Sequence, residues 1–176
     1  MYRQGNCLNT SLRKMLCNSL IQCHFDYECS SWYNGITKQL KNRLQTTQNK
    51  VIRFINKYDC RTSLTVSDYS NLGLLNIENR VKQYKLNHVH NIFYKKCPSY
   101  LHDNFTKLVD IHRHNTRGSF AKFHVPNVNS FNITSFYYNG IKEWNHLPDS
   151  IKAIENKHRF KKEGKRQLFK NMRVVV

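Results

Sequence analysis

Apolar residues recur along most of the chain at helical rather than strand spacing. Between Asn9 and Trp32, the cap-type residues Asn9, Thr10 and Ser11 precede Leu12, Leu16, Leu20 and Cys23, which predicts a helix with that stripe against a core. Asn34 and Gly35 punctuate the pattern, and a second helix is predicted over Ile36 to Asn56. At about 100° per residue, Leu40, Leu44, Val51 and Ile55 fall within about 60° of one another, while Arg43, Lys50, Arg53 and Lys57 fill a sector about 80° wide, roughly a third of a turn away. One face is expected to pack and its neighbour to be positive. From Thr37 to Lys57 there are six basic residues and no acidic one, so pairs within the helix cannot neutralise that face.

Further along, Arg61 to Asn71 reads as a turn and a short helix closed by Gly73, a residue that tolerates left-handed backbone. Ile77 to Tyr94 resumes a helix with Ile77, Val81, Tyr84, His88 and Ile92 in one stripe, and Pro98 and Ser99 restart a short one holding Tyr100, Leu101 and Phe105. From Asp110 to Asn132 the helical period fades, and Ser119 to Val125 alternates weakly, as a short strand or extended arm does. Helical spacing returns with Phe136, Gly140, Ile141 and Trp144, stops at Leu147 and Pro148, and restarts from Asp149. The tail from Glu155 to Arg173 carries eight Lys or Arg against two Glu, with Phe160, Leu168 and Phe169 as anchors, and predicts a peripheral basic helix frayed near Gly164. The expected fold is mainly α: a helical bundle over residues 1–109, an extended or β arm over 110–132, and a helical extension with a basic tail over 133–176.

Charge changes the picture more than size does. A chain of 176 residues with 39% hydrophobic and 12% aromatic content can bury a core and is too apolar for a disordered polymer. Twenty-nine Lys and Arg against eleven Asp and Glu leave a formal charge of +18, a self-repulsion that a polyanionic partner would relieve. No run of about 18 apolar residues is present and the start lacks an apolar signal core, so no membrane partner and an intracellular location are expected, nuclear or cytoplasmic. On the reducing side of the membrane, the six cysteines read as thiols, and the sequons at Asn9, Asn104 and Asn132 have no compartment in which to be used.

Several arrangements imitate chemistry and fail on spacing. Pro148, Asp149, Glu155, Asn156 and Lys157 spell the letters of a magnesium nuclease site, but the carboxylates lie too close in sequence on a segment with no strand pair, and a helix start at Asp149 explains them. Cys17, Cys23 and Cys29 recur every six residues beside His24; on a helix that spacing points successive thiols in different directions, unlike zinc ligands. His112 and His114 lack further ligands nearby. No two acidic residues are adjacent, and no Walker loop or nucleophile elbow occurs. No metal, no cofactor and no catalysis are expected.

The ordered motifs carry a resemblance. His24, Phe25, Asp26 and Tyr27, followed by Trp32, resemble the segment C-terminal to the palm in jockey-like non-LTR (LINE-type) retrotransposon reverse transcriptases. Leu44, Gln45, Gln48, Asn49, Arg53 and Ile55 resemble a helix of the same elements. Arg61 and Thr62, Leu72 and Gly73, Pro98 through Leu101, Asn115 through Arg117, and Trp144, Asn145, Leu147 and Pro148 follow in the family's order, over about residues 8 to 170. Where that family has Gly-Trp-Leu-Pro, this chain has Gly73, Leu74, Leu75 and Asn76. The resemblance implies a helical thumb and C-terminal extension of an RNA-directed DNA polymerase, without the fingers and palm that lie upstream in the family. Its implied role is to grip RNA or an RNA/DNA hybrid through phosphates, alone or with the palm and fingers of an intact enzyme, in a ribonucleoprotein. The residues expected to make the contact are Arg43, Gln45, Gln48, Asn49, Lys50, Arg53, Lys57, Arg61 and Arg117. The alternative is a non-functional mobile-element remnant that needs the missing palm to fold. Trp32 and Trp144 could stack on bases, but tryptophans at helical apolar spacing are expected in the core.

Overall fold

The computed structural model describes residues 7–111, 119–127, 129 and 132–172. They are mainly helical, as the periodicity predicts, and divide into two compact units. Unit 1 comprises Met1–Val81 and Leu168–Val176, and unit 2 comprises Lys82–Gln167. The divisions thus fall inside two helices rather than at the 110–132 segment where the helical pattern fades.

Unit 1 begins with α1 (Thr10–Cys17), whose first turn is capped by Asn9 Oδ1 accepting from Leu12 N at 2.8 Å. A π-helical turn (Asn18–Gln22) leads into α2 (Cys23–Asp26), and Glu28, in left-handed backbone with φ 45°, precedes α3 (Cys29–Trp32). Here the stripe expectation fails. Leu12 is 42% exposed, Leu20 52% exposed and Cys23 exposed, while Arg13, Cys17 and Gln22 are buried. The buried line advances by four residues and then by five, and the five-residue step is the π turn, which spends one residue more than an α turn. Arg13 earns its place in the interior by donating from Nη1 to the Phe54 carbonyl at 2.7 Å, with its guanidinium 5.9 Å from the Phe54 ring centre. That carbonyl lies in the last turn of α4 (Lys38–Asn56), the negative end of the helix dipole.

Helix α4 is the long predicted one, entered two residues later than the pattern suggested because Thr37 caps it, and closed by Lys57 in left-handed backbone at φ 58°. Val51 and Ile55 are buried as expected, Leu40 is exposed, and Ile52 joins the core with Tyr69, Leu75 and Met172. Helix α5 (Val66–Leu72) starts in a capping box between Thr65 and Asp68, with Thr65 N donating to Asp68 Oδ2 at 2.8 Å, and ends at Gly73, whose φ of 65° requires a glycine-tolerant position. The aspartate of the His24–Tyr27 motif takes a structural part. Asp26 receives a two-pronged pair from the Arg80 guanidinium, with Nη2 at 2.6 Å from Oδ2, and so ties α2 to α6 (Ile77–Phe93).

Unit 2 takes the rest of α6, then α7 (Ser99–His102), α8 (Leu108–Ile111), α9 (Phe136–Asn145), α10 (Asp149–Lys152) and α11 (Lys157–Lys170) as far as Gln167. On α6, Ile77, Val81 and Ile92 are buried, but His88 is exposed and burial extends instead to Leu86, Val89 and His90. The core centres on Trp144, which is wholly buried with Phe93 and Phe160 at 5.1 and 5.9 Å between ring centres. Gly140 allows α9 to approach α6, since a Cβ there would stand 3.0 Å from Val89 Cγ2. His90 stacks on Phe160 at 4.1 Å and shares a 2.8 Å hydrogen bond with the Ile154 carbonyl; burial holds its imidazole below the usual value, which favours the neutral ring donating from Nε2.

The 110–132 segment falls partly outside the described residues, as do His112 and His114. The described part shows a 3-10 turn at Ser119–Ala121 and one antiparallel bridge, Lys107 with Phe123, rather than a strand. Asn145 completes that bridge from the other side. Its Oδ1 accepts from Phe123 N at 3.0 Å and its Nδ2 donates to the Phe123 carbonyl at 2.8 Å, while the Trp144 indole donates to the Ala121 carbonyl at 2.9 Å.

The basic tail is not peripheral throughout, because Phe160 is buried in the unit 2 core. Nor does the helix break at Gly164, which lies inside α11 with open space where a Cβ would be. Gly164→Ala is therefore expected to stabilise the protein by about 0.5–1 kcal/mol through lower unfolded-state entropy and higher helix propensity. A urea titration showing a loss of stability would mean the neighbourhood is tighter than this geometry.

Candidate nucleic-acid interface

The expected contact residues separate into two groups on α4. Viewed down the axis at about 100° per residue, Val51, Ile55, Gln48, Ile52 and Asn49 span a buried arc of about 160°, wider than the apolar sector because Ile52 and then Asn49 extend it, with Gln48 inside. Arg43, Lys50 and Lys57 lie on the opposite side and are exposed, and Arg61 is exposed in the turn that follows. Among the described residues none of these four cations makes an ion pair. The helix itself carries no carboxylate, and Asp59 is the one acid between Lys57 and Arg61, so the face stays positive.

Gln45, Gln48 and Asn49 do something else. Gln48 is 0% exposed and donates from Nε2 to the Leu75 carbonyl at 2.8 Å. Gln45 shares its Nε2 hydrogens among Gln48 Oε1 at 3.1 Å, Asn49 Oδ1 at 2.9 Å and the Tyr69 hydroxyl at 2.9 Å, and its Oε1 accepts from Ile77 N at 3.1 Å. The Tyr69 hydroxyl in turn donates to Asn49 Oδ1. Burial pushes the Tyr69 phenol up to about 12, so it stays a donor across the working pH range. These amides tie α4 to α5 and to the Leu75–Ile77 backbone; Gln48 has no surface to offer a phosphate, and Asn49, also buried, has its Oδ1 taken by Gln45 and Tyr69. Arg53 is intermediate in kind: half-buried, it donates from Nε to the Thr62 carbonyl at 2.9 Å and fixes the turn that carries Arg61. Arg117 lies outside the described residues.

Of the two tryptophans, Trp144 is core, while Trp32 is half-buried with its indole donating to the Tyr27 carbonyl at 2.8 Å. Cys17 and Cys29 are buried and Cys23 is exposed, its Sγ 2.8 Å from the Ser19 carbonyl. Among the described residues no group of three or more His, Cys, Asp or Glu could hold a metal ion, and no helix is long and apolar enough to cross a membrane.

The sequence reading missed Tyr69 as the hub of the amide network. Its one available signal was a tyrosine at core spacing within α5, whose hydroxyl needs a buried partner. Comparison with known proteins adds no relative: no family model, curated protein or solved structure matches the chain.

Proposed function

We propose that the chain is a non-catalytic nucleic-acid-binding module of the kind found in the thumb and post-thumb region of non-LTR reverse transcriptases. In this reading it holds an RNA/DNA template and primer duplex through its phosphates. The observation that carries the reading is the one-sided face of α4: Arg43, Lys50 and Lys57 exposed with Arg61 beyond them, opposite an arc anchored by buried amides. A rigid helix with unpaired cations on one side matches a phosphate backbone and carries no base code.

Each phosphate contact releases condensed counterions, so the affinity falls with log salt at a slope of about 0.7 to 0.9 per contact. Changing Arg43, Lys50, Lys57 and Arg61 together to Gln is expected to flatten the slope on a labelled hybrid duplex by about three units, with the helix content unchanged. Arg53 is left in place because its bond to the Thr62 carbonyl is structural. A folded quadruple variant with the wild-type slope would remove this face from the interface.

A further inference from the structure

Unit 2 carries a second basic surface, different in shape from the first. Helix α11 buries Phe160 and Gly164 on one side, and Arg159, Lys161, Lys162 and Arg166 stand exposed on the other. At about 100° per residue these four cations cover an arc of about 160°, twice the width of the basic sector on α4. The one carboxylate of the helix, Glu163, is taken by Arg166 at 2.7 Å, while Arg159, Lys161 and Lys162 make no ion pair among the described residues. The first turn holds Lys157, His158 and Arg159 and no acid, so cations crowd the positive end of the helix dipole, where they lower stability rather than add to it. A polyanion against this side reverses the sign of that cost.

We propose that this side of α11 is a docking surface for B-form DNA duplex, entered at the major groove, with phosphates contacted on both groove walls. A helix about 10–12 Å across fits a major groove about 12 Å wide, and cations around nearly half its circumference reach both strands at once. A-form duplexes, whose major groove is deep and narrow, do not admit it. Single strands are favoured by exposed aromatic platforms, and every Phe in the helix is buried or half-buried. An anionic membrane needs an apolar face to insert, and here Phe160 is spent on the core. The inference extends the proposed function to a second partner and rests on that reading only in taking the chain to bind nucleic acid.

The test uses the full chain and its Arg159→Gln, Lys161→Gln, Lys162→Gln, Arg166→Gln variant, titrated by fluorescence anisotropy over a range of salt against mixed-sequence DNA duplex, RNA duplex of the same sequence, and anionic vesicles. On DNA duplex the slope of log affinity against log salt is expected to flatten by about three to four units, and by about half of that in the Lys161→Gln, Lys162→Gln double variant. On RNA duplex the slope is expected to stay within about half a unit of wild type, and vesicle binding to be weak and unaltered. Circular dichroism keeps the comparison to folded protein, and acetylation of Lys161 and Lys162 in the wild type, slowed by DNA duplex and not by RNA duplex, gives a readout that needs no variant. An unchanged slope on DNA duplex overturns this inference alone, as does an equal loss on both duplexes. Wild-type protein that binds no nucleic acid overturns both this inference and the proposed function.

Discussion

Gln48→Ala is expected to destabilise unit 1 by about 3–5 kcal/mol, more than any single change on the exposed side of the same helix. The substitution leaves the Leu75 carbonyl without its donor, takes one acceptor from Gln45 Nε2, and opens a cavity at a position with no solvent access. An unsatisfied buried carbonyl costs about 1–3 kcal/mol by itself, and the lost packing supplies the rest. Gln45→Ala, at a half-buried position where water can replace part of the network, is expected to cost about 1–2 kcal/mol. Urea unfolding followed by helical signal measures both. A Gln48 variant as stable as Arg43→Gln, with reduced affinity for duplex, would return Gln48 to the binding surface and overturn the assignment made here.

In unit 2 the corresponding position is Trp144. Trp144→Ala is expected to cost about 3–5 kcal/mol from lost burial, with a further 1–3 kcal/mol from the Ala121 carbonyl that loses its indole donor. Trp144→Phe keeps a ring against Phe93 and Phe160 but removes the N–H together with about a third of the indole, so its expected cost of about 2–4 kcal/mol combines the lost bond with a smaller cavity. Chemical denaturation of the three proteins decides the matter. Equal stability of the Phe variant and wild type would mean that the Ala121 bond contributes nothing. An Ala variant losing under about 1 kcal/mol would mean the ring is not the centre of this core.

Local chemistry was legible in the sequence. Asn9, Gly73, Pro98 and Pro148 sit at helix ends as their types suggest, because caps act within four residues and owe little to the rest of the fold, although the cap at Thr37 was passed over and α4 starts two residues later than its pattern. The outcome was poorer where burial depends on distant partners. Leu12 and Leu20 have the right spacing for a core and point elsewhere, because the π turn resets the face and Arg13 finds a carbonyl forty-one residues away. Gln45, Gln48 and Asn49 read as surface amides because an amide shows its partner only in three dimensions; nothing local in α4 names Leu75 or Tyr69. The exposed cations Arg43, Lys50 and Lys57 were legible for the opposite reason, since charges without partners stay in water wherever the helix has a free side.

The Phe123 segment depends on a helix for what a strand would ordinarily supply. Its amide and carbonyl on one edge are satisfied by the Asn145 side chain, 22 residues later, and the neighbouring Ala121 carbonyl by Trp144, 23 residues later. Those donors and acceptors are correctly spaced only while the last turn of α9 is wound, so unwinding that turn would leave the Phe123 N–H, the Phe123 carbonyl and the Ala121 carbonyl without the partners they have in the fold. The extended segment is thereby held from both edges, by the bridge to Lys107 on one and by the end of a helix on the other, and its order is contingent on that helix end staying intact.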